Sequence, residues 1–107
     1  MTPPEYIRAF ERYYRKLGHE SNKKRSTDVA LAWVVLIQNN WAILTILQQK
    51  KINKNILYKA CVAMEDNITS ILNNGVIDEA LLLMLMDLVV SLRTYCKKEK
   101  KKRKENG

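Results

Sequence analysis

Turn-forming residues are scarce, with three glycines and two prolines in 107 residues. That scarcity excludes collagen-like and low-complexity chains. A sheet-rich fold needs a turn about every eight to twelve residues, so it leaves little room for strands as well. Histidine is nearly absent, with a single residue at His19, and no CxxC or HxxxH spacing exists. No zinc pattern is present, and neither a metal nor a cofactor is expected. The two cysteines, Cys61 and Cys96, fall inside apolar helical patterns and read as small buried hydrophobes of a reducing compartment. The protein is therefore expected to be intracellular, cytoplasmic or, in a eukaryote, nuclear.

What is present is apolar surface and positive charge. Apolar residues make up 47% of the chain, which rules out wholesale disorder and calls for a compact core. The expected class is all-α, an up-down four-helix bundle over residues 1–96 with a basic, frayed tail over 97–107. Start and stop signals place helices at about 3–17, 27–49, 54–73 and 79–96. Thr2, Pro3, Pro4 and Glu5 form a capping box with proline at the first helical position, and Gly18 is the expected left-handed stop. Ser26, Thr27 and Asp28 offer caps for the second helix, Asn53 for the third and Asp78 for the fourth. Ile52 with Leu57, and Ile77 with Leu82, are placed as hydrophobic staples. The third helix shows Leu57, Cys61, Met64, Ile68 and Ile71 at alternating spacings of four and three, the seam of an antiparallel bundle. Tyr6, Phe10, Tyr13 and Leu17 give the first helix its apolar face, and Leu81, Leu85, Leu88 and Leu92 are read as that of the fourth.

Val29 to Leu47 is a run without charge, long enough to span a membrane. Gln38, Asn39 and Asn40 would then lie at the bilayer midplane without partners, so a membrane is disfavoured and a buried central helix preferred. Val29 to Ile37 is continuously apolar, and Leu82 to Met86 repeats the pattern in the fourth helix. Three short neighbours can hardly cover a helix that is apolar all round. Val29, Trp33, Val34, Leu36, Ile37, Leu83 and Met84 are therefore expected to form one patch that mediates homo-oligomerisation.

The chain carries a net charge of +8, unevenly spread: residues 1–25 hold +4, residues 26–92 hold −2 and residues 93–107 hold +6. Four basic clusters stand against an acidic remainder. Arg8, Arg12 and Arg15, with Lys16 beside them, recur on the solvent face of the first helix, opposite the tyrosines. Lys23, Lys24 and Arg25 fill the first connection. Lys50, Lys51 and Lys54 surround the second, at the pole where the fourth helix ends. Lys97, Lys98, Lys100, Lys101, Lys102, Arg103 and Lys104 form the tail, whose composition suits phosphate binding by counterion release, nuclear localisation or simple solubilisation.

Together these clusters point to a non-enzymatic helical protein that binds the backbone of DNA or RNA. Two alternatives belong to other classes: an adaptor docking through its apolar surface to a larger protein assembly, and a basic bundle held at anionic lipid by its tail. No catalytic set emerges. Arg12 and His19 resemble, in two residues, the arginine-histidine pair of helical ribonucleases of the HEPN type. Here the pair straddles the expected stop at Gly18, and His19 is read as a linker residue near a helix C-terminus, where partial positive charge is favourable. Glu65 and Asp66 point to different sides of their helix, and Asp87 belongs to a solvent stripe.

Overall fold

The structure, a computed structural model, describes the backbone of residues 1–20, 27–74 and 79–106 and the side chains of 1–20, 28–74 and 79–97. It contains four helices, α1 (Pro3–Glu20), α2 (Thr27–Leu47), α3 (Lys54–Asn73) and α4 (Glu79–Asn106), with no strand among the described residues. α1 packs on α2, α2 on α3 and α3 on α4, antiparallel at each step. The phenol of Tyr6 meets Ser91 Oγ at 2.7 Å and closes α1 back onto α4. The fold is an all-α four-helix bundle.

Each helix contributes one stripe to the core. Tyr6, Phe10 and Leu17 are buried on α1; Trp33, Leu36, Asn40, Ile43 and Leu47 on α2; Leu57, Cys61, Met64, Ile68 and Ile71 on α3; Leu82, Leu85, Val89, Leu92 and Cys96 on α4. The stripes of α2, α3 and α4 follow spacings of three and four, and that of α1 spacings of four and seven, the pattern of knobs-into-holes packing at a shallow crossing angle. The α4 stripe differs from the one read in the sequence. Leu85 and Leu92 are shared, but Leu82 and Val89 replace Leu81 and Leu88, which are only partly buried. In a helix apolar on nearly all sides, periodicity alone does not choose the inward face.

The ends of α1 and α3 carry the expected caps. Glu5 Oε1 accepts from the backbone N–H of Thr2 at 3.0 Å and from its hydroxyl at 2.8 Å, which holds the Glu5 carboxyl below its ordinary value. Asn53 Oδ1 accepts from the N–H groups of Asn55 and Ile56. Ser26, Gly75, Ile77 and Asp78, with the caps and staple expected there, lie outside the described residues.

Three boundaries move. α2 ends at Leu47, not Gln49. The backbone of α4 continues helically to Asn106, past the fraying expected after Cys96, through residues of good helix propensity without a breaker. Gly18 does not stop α1, which runs on to Glu20, so His19 sits in its last turn and not in a linker. The indole of Trp33 donates to the Leu17 carbonyl at 2.9 Å, satisfying one of the terminal carbonyls that α1 cannot pair internally. Nothing lies within 4 Å of where a Gly18 Cβ would be.

Two substitutions test this packing. Gly18→Ala should stabilise the fold by about 0.5 kcal/mol or more, because an open helical site gains from lower backbone entropy in the unfolded chain. A drop in melting temperature would restore Gly18 as a stop. Asn40 is fully buried, and neither its Nδ2 nor its Oδ1 makes a hydrogen bond. Leucine has the same heavy-atom count and branching, so Asn40→Leu should raise the melting temperature, an unpaired buried amide costing about 1–3 kcal/mol. Unchanged or lower stability in a thermal melt would contradict that accounting.

Candidate nucleic-acid interface

The amphipathicity of α1 sets up the most ordered basic surface. With Tyr6, Phe10 and Leu17 turned inward, Arg8, Arg12 and Arg15 stand exposed on the opposite side. Seven residues of helix place the first and last of them about 10 Å apart along the axis. None of the three is held in an ion pair among the described residues, and the Glu11 to Arg15 pairing available to this helix is not formed. His19 extends the same exposed row by one turn, so Arg12 and His19 share one helix face instead of straddling a break. Lys16 lies to one side, its Nζ 5.6 Å from the centre of the Tyr13 ring. Arg15, Lys16, His19, Glu20 and Leu81 line an open depression of about 390 Å³ between the end of α1 and the start of α4.

A second basic group gathers at the opposite pole. Lys50 and Lys51 are exposed in the connection from α2 to α3, and Lys97 is exposed where α4 leaves the bundle. Lys54 belongs to the architecture as much as to the surface. Its Nζ lies 4.8 Å from the centre of the Tyr95 ring, and that ring packs against Tyr6 with centroids 6.0 Å apart. The cation-π contact joins α3 to α4 at this pole, as the topology requires. Lys23, Lys24 and Arg25, and the side chains of Lys98, Lys100, Lys101, Lys102, Arg103 and Lys104, lie outside the described residues.

The apolar surface differs from the expected patch. Trp33 and Leu36 are core residues and cannot meet a second molecule. Val29 and Ile37 are half-buried, Ile37 against the core. Of the residues expected on α2 only Val34 is exposed, as are Leu83 and Met84 on α4. The residues missed are Leu31, Val35 and Trp41, at 62%, 44% and 56% exposure, and Ile56 on α3. α3 lies between α2 and α4, so the exposed apolar residues of those two helices form separate faces, not one. Asp28–Leu47 has the length and, at a mean hydropathy of 1.7, the composition to cross a membrane; in this fold it is α2, with one stripe in the core.

Among the described residues no three histidine, cysteine, aspartate or glutamate side chains converge on a metal-sized site. Arg93 Nε donates to Glu65 Oε2 at 2.6 Å and pairs α4 with α3, a partnership that spacing along the chain could not reveal. Cys61 and Cys96 are both free and buried. Burial pushes the Cys61 thiol up to about 12, with Cys96 and then Glu65 adding to the effect, and burial pushes Cys96 up to about 11 against the opposing pull of Lys54.

Comparison of the chain with protein-family models, curated proteins and solved structures found no match.

Neither thiol should react with a maleimide or disulfide reagent at pH 8 in the folded protein, because almost no thiolate is present and both side chains are buried. Both should react on unfolding in denaturant. Rapid labelling of the native protein, read by mass spectrometry, would place one of them at the surface.

Proposed function

We propose that the protein is a non-enzymatic nucleic-acid-binding bundle that contacts the phosphate backbone through α1 and the basic pole and self-associates through exposed apolar helix surface. The observation that carries this reading is the exposed row of Arg8, Arg12 and Arg15, none of them held by an acidic partner among the described residues. Guanidinium groups that are not engaged within their own protein keep all their donors for phosphate oxygens. Lys50, Lys51 and Lys97 supply further positive charge at the far pole, where the lysine-rich end of α4 emerges. Binding of this kind neutralises phosphates and releases counterions, so it carries affinity with little base preference.

One observation favours the adaptor reading: α2 presents an uncharged, largely apolar side to solvent. The two readings respond oppositely to salt. A backbone binder loses affinity steeply as salt rises, whereas docking through α2 is insensitive to it or strengthened by it.

Titration of single- and double-stranded DNA and RNA at two salt concentrations separates them. Changing Arg8, Arg12 and Arg15 together to alanine should lower affinity for all sequences alike and flatten the log-log salt slope by about 0.9 for each duplex phosphate that the protein ceases to neutralise. Helix content should stay the same, because the opposite face of α1 is the packed one. Removal of Lys97 to Lys104 should flatten the slope further. Unchanged affinity in the triple variant, with weakening confined to the tail deletion, would leave the bundle as a platform and turn the reading to the adaptor.

A further inference from the structure

From Val29 to Leu47, α2 carries no charge on any side, yet only one stripe enters the core. On its outer side Leu31, Val34, Val35, Gln38, Trp41 and Thr45 are all exposed. They recur at spacings of three and four, so α2 bears a second helix-packing seam, turned outward. Thr45 commits its hydroxyl to the Trp41 carbonyl at 2.9 Å and needs no outside partner. Trp41 is braced from α1 by Tyr14, with ring centroids 5.4 Å apart, so the largest side chain on this face is held in place.

We propose that this outer seam is the two-fold interface of an antiparallel homodimer, with Gln38 on the axis. Reflecting the seam about Gln38 sets Trp41 against Val34 and Val35 of the partner subunit, and Leu31 against Thr45 of the partner subunit. Large side chains meet smaller ones at each level. A parallel pairing would stack indole on indole and leave threonine facing threonine, a poorer fill at the 8–10 Å spacing typical of packed helices. Gln38 favours a second copy over lipid as the occupant. In lipid its amide would lack partners, at a cost of several kcal/mol; on a two-fold axis each amide can donate to and accept from the other. The contact is one helix wide. The 21 residues of α2 span about 30 Å, and at a helix diameter of about 10 Å the footprint is roughly 300 Å² per copy. That is below the roughly 800 Å² per partner of a standard stable interface, so the dimer is a weak one that forms at high protein concentration.

The symmetry also arranges the basic surface. A two-fold axis across α2, lying in the interface, keeps the α1 side of one copy with the α1 side of the other. Both arginine rows then lie on one flank of the dimer, antiparallel and, at ordinary helix spacings, roughly 20 Å apart. The use of that flank rests on the phosphate-binding reading; the dimer itself does not. Each chain carries +8, so the copies repel and salt strengthens their association, opposite in sign to phosphate binding.

The test uses the full chain without nucleic acid. Light scattering should give a dimer that tightens with salt, and Val35→Glu should yield a monomer with unchanged helix content. Leu31→Glu provides a second exposed position should Val35→Glu fail to fold. Under mild oxidation a mixture of Leu31→Cys and Thr45→Cys proteins should cross-link to each other, while Leu31→Cys alone should not. Cross-linking of Leu31→Cys to itself would overturn the antiparallel arrangement. A wild-type protein that stays monomeric at high concentration would overturn the dimer, and if it also floats with phosphatidylserine vesicles the occupant is lipid. If the cross-link forms but the arginine variant binds nucleic acid like wild type, the dimer stands and the phosphate-binding reading falls.

Discussion

A helix at the corner of a four-helix bundle can turn only one side to the core, and the rest of this protein follows from how α2 meets that limit. Its inner stripe from Trp33 to Leu47 is buried, and no charge is available anywhere between Val29 and Leu47 to clothe the remainder. Leu31, Val34, Val35 and Trp41 are therefore left outside. They are not surplus core. The inner positions are already filled by residues at the right spacing, and no rotation of α2 would bury both sets.

Register between the helices is set by a few directional contacts laid over this non-directional packing. The Trp33 indole on the Leu17 carbonyl ties the start of α2 to the end of α1. Asn67 donates to the Ala32 carbonyl at 3.4 Å from α3, and Glu65 with Arg93 joins α3 to α4. At the far pole Tyr6, Ser91, Tyr95 and Lys54 link three helices through one hydrogen bond, one ring contact and one cation-π contact. Asn40 stands apart, a polar residue in a seam with nothing to bond. With its amide already fully buried and unpaired it costs stability in this packing, as the expected gain from leucine at that position implies.

How much of this is legible in the sequence depends on contrast between helix faces. α1 and α3 alternate sharply between apolar and polar, and their buried residues, including Leu57, Cys61, Met64, Ile68 and Ile71, can be read directly. α2 and α4 are apolar almost all round, so no period in the chain says which side turns inward. Trp33 and Leu36 thus read as surface, and Leu81 and Leu88 as core. Gly18 misleads for another reason. Glycine is permissive and adopts helical as readily as left-handed backbone, and here it keeps the helical geometry that carries α1 on to Glu20, so its presence alone does not mark an end. The arginine row is fully visible in the sequence, because it is the complement of a strong apolar stripe. The Glu65 to Arg93 pair is not, since its partners lie on different helices.

The placement of charge explains how a chain of +8 tolerates compact packing. The exposed basic groups lie along α1 and at the pole of the second connection, away from the outer side of α2. Arg15 and Lys16 lie toward one pole, and Lys50, Lys51 and Lys97 lie at the other, separated by most of the length of helices about 30 Å long. Separations of this order exceed the Debye length of about 8 Å at physiological salt, so these two groups scarcely feel one another. A polyanion close to either cluster is within that distance and feels it strongly. Self-repulsion is thereby kept small while local attraction is preserved, and the uncharged outer seam of α2 lies between the poles, where close approach of a second molecule meets the least opposing charge.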